Sequence, residues 1–216
     1  MTRAQQRGWE ELYPKHGLTL ADGPLDMQTS FARIAPLVVE IGFGMGTSLV
    51  EMARNEPDKN FVGIEVHKAG VGSALHTSDK IGLSNLRVFC DDAVAVVEQC
   101  LSPASVSRFQ IYFPDPWHKT KHRKRRLLQS PFVDLLVSRL APQGLLHVAT
   151  DWQDYAEQVM GLLSAHTGLN NTAGEHQFIA RPDFRPATKF ERRGQSLGHG
   201  VWDLLFQKND SVQGAV

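Results

Sequence analysis

The chain has 216 residues, 42% of them hydrophobic and 21% charged, enough to bury about 70% of the surface an unfolded chain exposes and too apolar for a disordered protein. No apolar run approaches the ~18 residues of a membrane span. Residues 1–7 lack the apolar centre of a secretory leader, and the two cysteines, Cys90 and Cys100, make neither a disulfide framework nor a zinc-site spacing, so a reducing cytoplasm is the expected compartment. Lys+Arg and Asp+Glu both number 23, yet six of the eight residues 119–126 are Lys or Arg, so a neutral total hides a concentrated basic segment.

A short helix is expected over residues 5–13, within an N-terminal segment 1–35 that carries no motif; residues 36–216 read as a single domain. There, short apolar runs alternate with helical stretches, the pattern of a parallel sheet covered by helices. Strands are expected at 36–41, 60–66, 85–90 and 108–113, with helices at 46–55, from 67 to 82, and at 93–101. Leu127, Leu128, Phe132, Leu135, Leu136 and Leu140 then form an apolar stripe near 3.6-residue spacing and predict one helix, broken at residues 142–144. A fifth strand follows at 145–149. Thr150 and Gln153 have the spacing of a capping box opening a helix at 152–164. Residues 168–193 read as an irregular excursion, and 200–207 as a last strand, antiparallel because no crossover helix precedes it. The expected class is α/β, a Rossmann-like, mostly parallel sheet with an antiparallel C-terminal strand.

Between the first strand and its helix lies Glu40-Ile-Gly-Phe-Gly-Met-Gly46. Gly42, Gly44 and Gly46 permit a tight turn that brings a ligand against the helix N-terminus. The spacing is not the G-x-G-x-x-G of a dinucleotide turn, and Glu40 would repel a pyrophosphate. A carboxylate there suits a ligand with an ammonium group, a sulfonium and no phosphate, which is S-adenosylmethionine. Glu65, about twenty residues further on, is placed to accept ribose hydroxyls. Asp92, after the third strand, is placed for an adenine amino group, although Asp91 or Asp92 is also expected to cap the next helix. Three acids at the carboxyl ends of successive strands favour this cofactor over a nicotinamide.

Tyr112-Phe-Pro-Asp-Pro-Trp-His118 follows the fourth strand. Two prolines restrict the backbone around Asp115, and Trp117 offers a stacking plate for a base. The basic residues at 119–126 come next, and Arg181, Arg185, Lys189, Arg192 and Arg193 make a second basic stretch; a polyanion docking between them is expected. Asp151 suits helix capping and substrate contact equally. His67, His118, His122 and His147 lack metal-ligand spacing, and no metal is expected. Phe43 and Met45 are expected to pack or line the glycine turn, and Cys90 to be inert.

Val39-Glu-Ile-Gly-Phe-Gly-Met-Gly46, Gly63-Ile-Glu-Val-His67, Phe113-Pro-Asp-Pro-Trp-His-Lys119, Thr188-Lys-Phe-Glu191 and Gly198-His-Gly-Val-Trp-Asp203 together resemble the bacterial tRNA (guanine-N(7)-)-methyltransferases, from about Leu37 to Phe206. The resemblance implies methyl transfer from S-adenosylmethionine to a variable-loop guanosine of tRNA. By the same resemblance Glu40, Glu65 and Asp92 bind the cofactor, while Asp115 is catalytic and touches it. Lys119, Asp151, Thr188, Lys189, Phe190 and Glu191 match substrate-binding positions, and Lys121, His122, Arg123, Lys124, Arg125 and Arg126 match the RNA-contacting segment. Members often begin with a longer, arginine-rich arm; with Met1-Thr-Arg at the start, either a weaker grip on tRNA or a start assigned too late is implied. Monomer and homodimer stay open. The rival readings are a small-molecule methyltransferase and a nucleic-acid-binding protein that has lost catalysis.

Overall fold

The computed structural model describes residues 1–187, 191 and 200–210. They form two compact units, Met1–Ser102 with Asp183–Pro186, and Pro103–Pro182 with the described residues from Ala187 onward.

In the first unit β1 (Gly17–Leu18), β2 (Leu37–Ile41), β3 (Asn60–Ile64) and β4 (Leu86–Phe89) run parallel in the order β1-β4-β3-β2. Every residue of β2 and β3 is buried, as strands covered on both faces require. The N-terminal helix is longer than expected and interrupted: α1 (Arg3–Arg7), a π-helical turn at Gly8–Leu12, and α2 (Tyr13–His16). A short α3 (Met27–Phe31) precedes β2. The crossovers are α4 (Thr47–Asn55), α5 (Lys68–Lys80) and α6 (Ala93–Cys100). The N-terminal run packs so tightly on α5 that a Cβ at Gly8 would lie 1.9 Å from the carbonyl oxygen of Gly72. The two-residue edge strand β1 was not legible in the sequence, because two residues carry no periodicity.

The second unit holds β5 (Val106–Tyr112), β6 (Leu140–Thr150), β7 (Leu169–Asn171) and β8 (Trp202–Lys208), in the order β5-β6-β8-β7, with α7 (Ser130–Arg139) and α8 (Gln153–Ser164). β5 and β6 are parallel, and β8 is antiparallel to β6 and β7. The fold class is therefore the expected one, mostly parallel with an antiparallel C-terminal strand. No helix among the described residues is long and apolar enough to cross a membrane.

Four local expectations are corrected. The apolar stripe from Leu127 to Leu140 is not one helix: α7 has Pro131 in its first turn, where a missing N–H costs nothing, and Leu127 and Leu128 lie ahead of it. Leu140 already belongs to β6 and pairs with Val106, while Arg108 pairs with Leu145, so residues 141–144 form an irregularity within the strand rather than a break before it. The capping box at Thr150 does not form; α8 has no side-chain cap, and Thr150 Oγ1 instead accepts the backbone N–H of Trp152 at 3.2 Å. The excursion at 168–193 contains β7, and Ile179 bridges to Asp203.

One polar chain crosses the second unit's sheet. The hydroxyl of Tyr112 lies 2.9 Å from His147 Nδ1, and His147 Nε2 lies 2.8 Å from Asp203 Oδ1, with the imidazole wholly buried. Removing one partner strands polar atoms where water cannot reach. Asp203→Ala is expected to cost about 3–5 kcal/mol of stability, measured by urea unfolding; a loss under about 1 kcal/mol would show that the chain is not held as described.

Candidate active site

The register of the first unit sets a candidate cofactor site within that unit. Ile41 stands opposite Ile64, and Ile64 opposite Phe89, so β2, β3 and β4 end level and their following turns emerge at one edge. Such an edge is where open α/β sheets bind ligands. Glu40 is the penultimate residue of β2 and only 3% exposed, opposite Gly63. Glu65 directly follows β3 and is 7% exposed; Asp92 follows β4 and is exposed.

The glycine turn is left-handed at Gly42, Gly44 and Gly46, with φ of +73°, +58° and +76°. A Cβ at Gly42 or Gly44 would meet no atom within 4 Å, so the turn borders open space there. At Gly46 it would lie 2.4 Å from the Cβ of Ala74, and that glycine serves packing. Phe43 is buried against the turn and Met45 is exposed beside it.

Glu65 does more than its strand-end position suggested. Its Oε2 accepts the N–H of Gly44 at 2.9 Å, and its Oε1 accepts those of Val66 at 2.8 Å and His67 at 3.0 Å. One carboxylate thus ties the turn after β2 to the turn after β3. α5 is pressed against the same turn, since a Cβ at Gly70 would lie 2.1 Å from the carbonyl oxygen of Gly44. Asp92 is the cap anticipated as its ordinary role: its Oδ1 accepts the N–H of Ala95 at 3.1 Å, and Asp91 Oδ1 accepts that of Asp92 at 2.8 Å. A carboxylate offers about four acceptor positions, so capping leaves Asp92 able to bind a further donor. Buried acid, clasped turn and open glycines suit a ligand that presents ammonium, hydroxyl and amino groups and no phosphate, and the residues fit S-adenosylmethionine. Cys90 is half-buried just beyond β4, and burial raises its thiol above the ordinary value, consistent with an inert side chain.

In the second unit β5 leads into the loop that carries Asp115. Asp115 is exposed and lies between two aromatic residues with left-handed backbone, Phe113 at φ +51° and Trp117 at φ +44°. Bulky residues rarely adopt this conformation, and such outliers cluster at functional sites. The N–H of Phe113 donates to the carbonyl of Ala149 at 2.7 Å. Trp117 meets His122 edge-on at 5.9 Å and carries the guanidinium of Arg125 over its ring at 5.1 Å. Trp152, which the sequence reading left out, is 39% exposed and packs edge-on against His118 at 4.1 Å. Asp151 beside it is exposed and does not cap α8.

The basic segment folds as a 3₁₀ helix, Thr120–Arg125. Lys119, Lys121, Lys124 and Arg125 are exposed, while Arg123 bonds Asp154 at 2.6 Å. Arg126 differs from its neighbours in the segment. It is 2% exposed and hydrogen-bonds the Pro116 carbonyl at 2.7 Å, Asp154 Oδ2 at 2.6 Å and Gln158 Oε1, with its guanidinium 4.7 Å over the Tyr155 ring. The side chain is wholly buried and presents no charge at the surface. Arg185 is likewise buried and forms no part of an open basic face, whereas Arg181 is exposed. Glu191 is 2% exposed. Thr188, Lys189, Phe190, Arg192 and Arg193 lie outside the described residues. Among the described residues no group of three or more His, Cys, Asp or Glu could hold a metal ion.

The family model described as "Putative methyltransferase" matches residues 34–204. In fold the chain is similar to a 16S rRNA methyltransferase, KamB, with TM-score 0.61 and 16% identity over 86% of this chain and 94% of that one. It is similar also to a SAM-dependent methyltransferase from Aquifex aeolicus, with TM-score 0.55 and 13% identity over 80% of this chain and 82% of that one. Fold, family match and site together define the class as an S-adenosylmethionine-dependent methyltransferase of Rossmann-like architecture. Over 208 residues the chain is 51% identical to the tRNA (guanine-N(7)-)-methyltransferase of Aeromonas hydrophila, covering 96% of this chain and 88% of that protein. The chain belongs to the tRNA (guanine-N(7)-)-methyltransferase family.

The clasp at Glu65 has a direct consequence for stability. In Glu65→Gln an NH₂ group must face either Gly44 N–H or the Val66 and His67 N–H pair, all of them donors. Loss of about 1–3 kcal/mol is expected, read as a lower thermal midpoint at unchanged secondary structure; an unchanged midpoint would show that the clasp carries no energy.

Proposed function

We propose that this chain transfers the methyl group of S-adenosylmethionine to nitrogen-7 of a variable-loop guanosine in tRNA, in the cytoplasm. The observation that carries the reading is Asp115, an exposed carboxylate in a constrained, aromatic-flanked loop that runs straight into exposed lysines. The 51% identity to a protein named for this activity supports the same substrate.

Bound cofactor supplies an electrophilic methyl on a sulfonium; the rest falls to this chain's residues. Glu40, Glu65 and Asp92, around Gly42, Gly44 and Gly46, hold the donor through its cationic, hydroxyl and amino groups. Guanine N7 carries an in-plane lone pair and no proton, so no general base is needed. Methylation leaves the purine cationic. Asp115 orients the base and faces that developing charge, stabilising the transition state more than the ground state. Lys119 and Asp151 contact the substrate, together with Thr188, Lys189, Phe190 and Glu191. The exposed members of the segment 121–125 contact phosphates.

Two measurements test this reading. Incubation with unmodified tRNA and labelled cofactor, followed by cleavage specific for 7-methylguanosine, is expected to yield one cut in the variable loop. Asp115→Asn should lower the single-turnover rate by about 10²–10³ with tRNA binding intact. A near-normal rate would remove Asp115 from the chemistry, and label at another position would refute the substrate.

The basic segment gives a separate expectation. Neutralising Lys121, Lys124 and Arg125 together should flatten the dependence of log affinity on log salt by about 2–3, read from tRNA binding between low and physiological salt. An unchanged slope would mean that these side chains form only a solvated surface.

A further inference from the structure

We propose that Arg126 is a positioning residue for the Asp115 loop and makes no contact with RNA, although it closes the basic segment. This rests on the reading of Asp115 as the residue that faces guanine.

The loop needs outside support. Phe113 and Trp117 both hold positive φ, a conformation that persists for bulky residues only where surrounding contacts over-determine it. Two anchors stand on either side of Asp115. On the upstream side the N–H of Phe113 donates to Ala149 of β6. On the downstream side the Pro116 carbonyl accepts from Arg126 Nε, and this bond sets the peptide plane between Pro116 and the strained Trp117. The two terminal guanidinium nitrogens each donate once more, to Gln158 and Asp154, which are four apart on one face of α8, and the plane lies over Tyr155 of the same helix. Arg126 therefore locks the loop to the helix that begins just after Asp151 and Trp152.

Arginine suits this task through its planar fork of five donors; a lysine ammonium is a point charge that cannot meet three acceptors and stack on a ring at once. Stability alone does not account for it. Burying a guanidinium carries a large desolvation cost, and a packed apolar side chain often stabilises as well or better. Burial pushes the Tyr155 phenol above its ordinary value, so its hydroxyl stays neutral and accepts the N–H of Leu128 at 3.3 Å, completing the support under the guanidinium.

The test compares Arg126→Lys, Lys121→Ala and Asp115→Asn by single-turnover methyl transfer at saturating tRNA and cofactor, and by tRNA affinity against salt. For Arg126→Lys the rate should fall about tenfold to a hundredfold, as a misplaced catalytic group predicts, with tRNA affinity and salt slope as in the wild type. Lys121→Ala should instead lower the slope by about one. If Arg126→Lys loses slope, or transfers at the wild-type rate, the inference is overturned. Should Arg126→Lys fail to fold, Gln158→Ala removes one arm of the fork from a half-exposed position; severalfold slower transfer at unchanged affinity supports the inference, and a wild-type rate overturns it. Asp115→Asn separates the two readings. A wild-type rate there removes the role of Asp115 itself, while a slow Asp115→Asn beside a normal Arg126→Lys removes only the strut.

Discussion

Three backbone N–H groups converge on the carboxylate of Glu65, and the candidate cofactor site of the first unit depends on that convergence. The three left-handed glycines of the turn carry no side chains to stiffen it, and glycine loses more conformational freedom on ordering than any other residue. Glu65 supplies the missing constraint from a neighbouring strand. It can do so because β2 and β3 end in register, Ile41 opposite Ile64, which brings the residue just after β3 within reach of Gly44. Register, clasp and open turn are one device: a shift of either strand would carry Glu65 away from the amides it holds.

The second unit meets the same requirement by different means. The loop around Asp115 contains no glycine, and prolines with two left-handed aromatics set its path. Its anchors are a strand carbonyl upstream and a buried guanidinium downstream. The cofactor turn is held by an acid accepting from backbone donors, and the Asp115 loop by a base donating to a backbone carbonyl. In each case a side chain from outside the loop supplies rigidity that the loop's own composition cannot, which is the support a positioned functional group requires.

The alternation of apolar runs and helical stretches made the sheet legible in the sequence, since fully buried parallel strands such as β2 read as continuous apolar runs. The antiparallel direction of β8 followed from the absence of a crossover helix. What stayed hidden was local or long-range. An apolar stripe cannot say where a helix starts, and Pro131 set the start of α7 later than the stripe implied. Thr150 and Gln153 have capping-box spacing, but Thr150 lies at the end of β6 with its hydroxyl bonded to the N–H of Trp152. The positions of Glu40, Glu65 and Asp92 at strand ends were legible; that Glu65 bonds three amides was not, because it depends on strand register. Arg126 is the sharpest case, since a basic run looks uniform in sequence and only the partners on α8 distinguish the residue that turns inward.

That residue also explains why lysine and arginine are mixed within the segment. Lys119, Lys121 and Lys124 are exposed and form no ion pair among the described residues, while each arginine is engaged: Arg123 with Asp154, Arg125 over Trp117, and Arg126 in the fork between the loop and α8. Chemistry favours this division. A compact, hydrated ammonium on a flexible stem suits phosphates whose positions vary along a backbone, whereas a planar, weakly hydrated guanidinium suits fixed partners and aromatic faces. The field that reaches solvent is therefore weaker than a count of six charges suggests, because Asp154 offsets one arginine and burial withdraws another. Counter-ion release on binding RNA should follow the side chains that remain exposed, Arg125 among them, and the buried Arg126 adds nothing to that total.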